Sequence, residues 1–210
     1  MKEIGIIFST PMVQAILENR KSMTRRVIKT IPKGRTDFVH TSNDLHFRGS
    51  TDFIWAGFGN PEDPVYFKCP YGQPGDRLYV KETWKVMFID EDKLTMLIAY
   101  KADDEYKTAQ FSPERFEKFR KFFGKNGWQS PYFMPKEAAR LWLDNKSVRV
   151  ERLQEITEED AIKEGIDATG LDTTALEEFQ GLWEHLNKKR GHGWDNNNWL
   201  WVVSFRRVEK

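Results

Sequence analysis

The signals along this 210-residue chain predict an α+β domain, a small mixed β-barrel with packed helices and two insertions. An opening strand and helix are followed by several strands, and two late helices precede a closing strand. No βαβ unit repeats and no glycine-rich phosphate loop occurs, which argues against a parallel nucleotide-binding sheet. The hydrophobic share of 39% and aromatic share of 14% supply enough apolar surface for one sizeable core, so residues 1–210 read as a single domain.

Residues 4–8 (Ile-Gly-Ile-Ile-Phe) read as a short buried strand. Thr10 can cap a helix with Pro11 in its first position, where a missing N–H is harmless. Val13, Ile16 and Leu17 give that helix one apolar face, and Asn19 suits the left-handed residue that ends it. Residues 32–64 hold scattered Gly and Pro without periodicity and read as an insertion with a short hairpin. Pro74-Gly75-Asp76 is a turn opening a strand in which Leu78, Val80, Glu82 and Trp84 share one face. Residues 95–102 are its expected hairpin partner. A second insertion spans 104–145, in which Pro113 to Phe123 reads as a short basic amphipathic helix or a lid. Ser147 to Gln154 alternates as a strand, and Thr157-Glu158-Glu159-Asp160 starts a helix ending at Gly165. A further helix runs from Thr174 to Lys189, with Leu176, Phe179, Trp183 and Leu186 on one stripe, and Trp199 to Arg207 forms the closing strand.

Composition narrows the function classes. The net charge of +1, from 33 basic and 32 acidic residues, announces no polyanion partner, so a nucleic-acid surface has to be a local patch. No apolar run reaches the length of a membrane span and the N-terminus lacks signal-peptide features; no membrane association and a cytoplasmic location are expected. Cys69 is the single cysteine, and the four His residues fall in no ligand spacing, so neither a metal nor another cofactor is expected.

Two features point to chemistry. Arg20, Lys21, Arg25 and Arg26 place four cations within seven residues, interleaved with Ser22 and Thr24. Such a cluster at a helix exit is ordinarily solvated. A lysine whose pKa is lowered by burial or neighbouring arginines can nevertheless take the proton of a nearby hydroxyl, which makes Lys21 a candidate base and Thr24 a candidate nucleophile. Glu164 sits in the last turn of its helix, where the dipole disfavours an anion unless a cation such as Lys21 or Arg25 answers it. Glu82, on an apolar strand face, requires a facing Arg or Lys and is either a site carboxylate or a structural ion pair. Tyr71, Trp84 and Trp194 are candidate stacking residues, Trp194 on the amide-rich loop Gly191 to Asn198.

The run Ile16 to Arg26, the Pro74-Gly75-Asp76 turn, Val150-Glu151-Arg152 leading into Ile156-Thr157-Glu158-Glu159-Asp160-Ala161, and the Trp-rich closing strand resemble ASCH-domain proteins of the PUA-like superfamily, of the type found in phages and prophages. The resemblance covers a little over half of the chain. It implies an amidohydrolase that removes an acyl group from the N4 amine of cytidine with a lysine, a threonine and a glutamate; the first two are separated by two residues, as are Lys21 and Thr24, and the third falls on Glu164. Asn19 and Ser22 depart from the family pattern, where glycine and threonine are usual. On this reading the site comprises Lys21, Thr24 and Glu164 as catalytic residues and Arg20, Arg25, Arg26, Glu82, Tyr71, Trp84 and Trp194 as substrate-binding residues. The substrate is a nucleoside or nucleic acid carrying a modified cytosine. The alternative is a non-catalytic RNA- or DNA-binding module in which the same cations meet phosphates; nuclease action through the cluster is a weaker third reading.

Overall fold

The structure, a computed structural model, describes residues 1–29, 38–42, 55–167 and 173–208. Its strands are, in chain order, β1 (Glu3–Ile7), β2 (Met23–Val27), β3 (Phe38–Ser42), β4 (Trp55–Asn60), β5 (Asp63–Lys68), β6 (Arg77–Lys81), β7 (Trp84–Asp90), β8 (Thr95–Tyr100), β9 (Tyr106–Gln110), β10 (Trp142–Arg152) and β11 (Trp199–Val208). The helices are α1 (Thr10–Leu17), α2 (Pro113–Arg120), α3 (Glu158–Lys163) and α4 (Ala175–Asn187). No helix among the described residues is long and apolar enough to cross a membrane.

The mixed α+β class agrees with the sequence, but the barrel does not close. The strands form an open five-stranded sheet in the order β1-β6-β10-β11-β2 and two three-stranded sheets, β3-β4-β5 and β7-β8-β9. In the five-stranded sheet β1 and β2 are opposite edges rather than partners, and only the β1–β6 pair is parallel. The 11-residue β10 is its spine: it pairs with β11 along its length and with β6 only through Trp142, Leu143 and Asp144. Because β10 starts at Trp142, the last residues of the expected 104–145 insertion belong to this central strand. The expected 32–64 insertion contributes β3, β4 and the start of β5; residues 30–37 and 43–54 lie outside the described residues.

The strand expected to run continuously through Trp84 breaks at Glu82. Leu78, Val80, Glu82 and Trp84 are all buried, as their alternation predicts, yet β6 belongs to the central sheet and β7 to the next. Residues 95–100 therefore pair with β7 and not with β6. Glu82 is the hinge pin between the sheets. Arg140 grips it with two bonds, Nε to Oε1 and Nη2 to Oε2, both 2.9 Å, while its Nη1 reaches Asp103 at 2.7 Å and its plane lies 4.1 Å from the Tyr100 ring centroid. Burial pushes the Glu82 carboxyl upward and Arg140 opposes that push. Trp84 is fully buried and its indole N–H donates to the Ser130 carbonyl at 3.2 Å. Both residues were candidates for substrate binding; both instead hold two sheets together.

Removing one partner of such a buried pair strands the other charge. Glu82→Ala is expected to lower stability by about 3–5 kcal/mol in urea unfolding monitored by tryptophan fluorescence. A loss below about 1 kcal/mol, the range of an exposed pair, would show that the pair does not join the sheets.

Candidate functional site

The site forms where α1, the approach to β2 and the end of α3 meet. Asn19, at φ 59°, ends α1 in the left-handed region, and the backbone N–H groups of Arg20 and Lys21 both donate to the Ala15 carbonyl, at 2.8 and 3.0 Å. Ser22 then clamps the segment from two sides: its N–H donates to Lys163 O at 2.9 Å, and its carbonyl accepts from Phe205 N–H at 2.8 Å. Lys21 and Glu164 face each other as an isolated antiparallel bridge. Thr157 caps the start of α3 by accepting from the Asp160 N–H, as its sequence predicts.

Gly165 follows Glu164 with φ +89°, the left-handed position that commonly ends a helix. A Cβ there would lie 2.9 Å from the Cβ atoms of both Ala15 and Lys21. This glycine lets α3 approach α1 closely enough for Lys21 to meet Glu164.

Lys21 is buried, and its Nζ donates to Glu164 Oε2 and to the Glu164 carbonyl, each at 2.6 Å. The Phe8 ring centroid lies 5.7 Å from the same nitrogen. Burial lowers the Lys21 pKa; Glu164 works against that shift, while Arg26 and Arg25 add to it. The sequence expectation of a depressed lysine beside arginines thus has a geometric cause, with burial the larger one.

Arg25, also buried, sits behind this pair. Its Nε and Nη2 both engage Glu151, Nη2 reaches Asp160 Oδ2 at 2.6 Å, and Nη1 reaches Glu164 Oε1 at 3.4 Å. Burial opposes its charge, yet Glu164 and Glu151 hold the guanidinium above its ordinary value. Arg149 closes the network on Glu151 at 2.8 Å and on Asp160 at 2.6 Å. Glu164 is therefore answered by two cations, as its place at the helix end requires.

Beside this network lies a cavity of about 550 Å³, within the usual range of small-molecule sites. Lys21, Thr24, Arg25, Arg26, Tyr71 and Glu164 all contribute to its lining. Thr24 is buried in β2, opposite Val203 of β11. Arg26 donates from Nη2 to the Ile7 carbonyl at 2.7 Å and lies 5.2 Å from the Phe8 ring centroid, while its Nε is buried without a partner. The opposite wall comes from α4, through Phe179, Leu182, Trp183 and Leu186, and from His192 beyond it.

Four of the expected site residues fall elsewhere. Arg20 does not line the cavity; it pairs with Glu18 and donates to Gly165 O at 2.9 Å. Trp194 does not line it either: the ring packs edge-on against Phe179 at 6.5 Å, and the backbone N–H of Trp194 donates to Glu184 Oε2 at 2.8 Å. The loop around it is fastened by its own asparagines, Asn197 Oδ1 accepting from Gln154 N–H at 2.9 Å and Asn198 Oδ1 lying 3.1 Å from His192 Nδ1. Glu82 and Trp84, already placed between the sheets, complete the set that the cavity excludes. Cys69 is buried, and burial pushes its thiol up to about 12, so it stays protonated.

The sequence did not single out Phe8, the α4 wall or His192 as site residues. Phe179, Trp183 and Leu186 do lie on the helical stripe that the sequence marks, but a stripe cannot distinguish a core face from a cavity wall. Comparison with protein families, curated proteins and solved structures found nothing that matches this chain.

Gly165→Ala is expected to be destabilising by about 1–3 kcal/mol, from backbone strain together with overpacking against Lys21 and Ala15. A thermal melt unchanged from wild type would show that the close approach of α3 to Lys21 is not required.

Proposed function

We propose that this chain is an ASCH-type amidohydrolase of the PUA-like superfamily, acting in the cytoplasm on an N4-acylated cytosine nucleoside or a related modified base. The observation that carries the reading is the buried Lys21–Glu164 pair lining the same cavity as Thr24. The other supporting feature is the resemblance of the Ile16–Arg26 run and of the α3 segment to that family.

In this mechanism neutral Lys21 takes the Thr24 hydroxyl proton as Oγ1 attacks the acyl carbon. The developing oxyanion is held by Arg26, which lines the cavity with a buried, unpartnered Nε. Arg25 directs its donors to Glu151, Asp160 and Glu164 and serves to position the carboxylate. The C–N bond then breaks, with the proton passing from Lys21 by way of Glu164 to the departing N4 amine. Water then attacks the Thr24 ester while giving a proton to Lys21, and Lys21 returns that proton to Thr24 Oγ1 as the ester bond breaks and the carboxylic acid leaves. The apolar α4 wall limits water around Lys21 and so favours its neutral form. A non-catalytic reader using Arg20, Lys21, Arg25 and Arg26 on phosphates fits less well, because Lys21 and Arg25 are buried against carboxylates.

The test is release of cytidine from N4-acetylcytidine, followed by chromatography. Lys21→Ala and Thr24→Ala are each expected to lower kcat by about 10²–10⁴-fold with the fold intact by circular dichroism. A fully active Lys21→Ala, or no turnover by wild-type protein of any N4-acylcytosine nucleoside tried, would overturn the assignment.

The pH dependence has a definite sign. The charged form of Lys21 is inactive in this mechanism, so kcat/KM should rise with pH as the lysine deprotonates. Since burial lowers its pKa, the rise should end below the ordinary lysine value of 10.5. A rate that falls throughout that rise would exclude Lys21 as the base.

A further inference from the structure

A second cleft, of about 320 Å³, borders β6 through Tyr79 and Lys81 and is lined by both cations and aromatic rings. The 113–137 segment that forms much of it carries six Lys or Arg against three Glu. Its aromatic residues divide into a buried set and an exposed set, the latter including Phe123 and Trp128. Phe116, Phe119 and Phe122 are buried and anchor the segment to the β7-β8-β9 sheet. Tyr132 and Phe133 are the most exposed of the rest, 68% and 52%, with ring centroids 5.2 Å apart and planes nearly perpendicular.

The cations divide in the same way. Arg115 pairs with Glu137, Arg120 with Glu91 and Lys136 with Glu3. Lys118, Lys121 and Lys125 are exposed and make no ion pair among the described residues. Lys81 donates to the Tyr132 carbonyl at 2.6 Å, with its ammonium 5.6 Å from that ring centroid. Exposed rings beside unpaired ammonium groups form a stacking platform next to an anion track, the combination that holds unpaired bases and their phosphates.

The two clefts are neighbours through the β1–β6 ladder. Ile7 lines the first cavity, Lys81 lines the second, and they are register partners in the parallel pair. On the same strand face a Cβ at Gly5 would lie 2.8 Å from the Tyr79 ring, so glycine there lets Tyr79 lie across β1. We propose that this edge is a docking surface for single-stranded nucleic acid: Tyr132 and Phe133 stack on bases, and Lys81, Lys118 and Lys121 meet phosphates. The acylated cytosine that enters the first cavity is then one base of a polynucleotide. That last step rests on the proposed hydrolase; the docking surface itself does not.

Binding is measured by fluorescence anisotropy with labelled single-stranded RNA and DNA of about 12 nucleotides and with a duplex of equal length, matching typical single-strand site sizes. Wild-type protein should bind at least one single strand more tightly than the duplex, because paired bases cannot stack on side chains. Tyr132→Ala combined with Phe133→Ala should weaken that binding about tenfold or more. Lys118→Glu combined with Lys121→Glu should weaken it and reduce the salt slope by roughly 1.4, the value for two phosphate contacts on a single strand. All four positions are exposed, and equal melting temperatures would show that the fold is kept. Turnover of the free nucleoside should stay at the wild-type level in both variants. No single-strand binding, equal binding of duplex, binding untouched by both variants, or binding confined to anionic phosphatidylserine vesicles would overturn the surface. Loss of nucleoside turnover in wild-type protein with this binding intact would instead remove the hydrolase and leave the surface standing.

Discussion

Taking an ammonium, guanidinium groups and carboxylates out of water carries a penalty of several kcal/mol per ion, recovered only when each charge is paired with good geometry. Lys21, Arg25, Glu164, Glu151 and Asp160 meet that condition together and not pairwise. Glu164 bridges the two buried cations, and Glu151 and Asp160 complete Arg25, with Arg149 supporting both from a more exposed position. These residues come from the approach to β2, from β2, from β10 and from α3. The network can therefore form only when those elements are in place, which couples the local chemistry to the whole central sheet.

That coupling explains why the lysine is both buried and available. Arg25 satisfies the outer side of Glu164, so Lys21 need not neutralise the carboxylate alone and can lose its proton without leaving a wholly unanswered charge. Phe8 on one side and the α4 wall on the other keep the surroundings apolar, which lowers the lysine pKa. Gly165 removes the atom that would hold α3 away. The backbone bonds of Ser22 fix the register so that residue 21 meets Glu164 while residue 24 sits in the sheet with its side chain toward the same cavity.

Local signals in the sequence located most elements, because a cap, a turn or an apolar stripe acts over a few residues. Thr157 caps α3 and Asn19 ends α1 as read, and Leu78, Val80, Glu82 and Trp84 alternate inward as read. What the sequence could not supply was partnership at long range. Period-two alternation continues through Glu82 while the strand changes sheets, so the pattern looks like one strand although the hydrogen bonds make two. The need of Glu82 for an arginine was legible, but its partner lies 58 residues away at Arg140, and that distance separates a structural pair from a site carboxylate. Trp194 misled for a related reason: an indole in an amide-rich loop resembles a free platform until Phe179, on another element, covers it. The cation cluster shows the same limit, since spacing alone leaves Arg20 and Arg25 equivalent, whereas one pairs at the surface and the other is enclosed by three carboxylates.

On the two proposals made above, the clefts divide recognition along a physical line. The first offers a confined apolar wall and, in Lys21 and Arg25, charges that are already paired, an arrangement suited to holding a neutral base and moving protons within it. The second offers unpaired ammonium groups and exposed rings, which gain from phosphates and flat bases but cannot exclude water. A phosphate admitted to the first cavity would compete with Glu164 for Lys21 and raise the lysine pKa, working against a neutral base. Anion recognition placed in the second cleft avoids that conflict, since a strand can be held there by its backbone while a single base is presented to the first cavity.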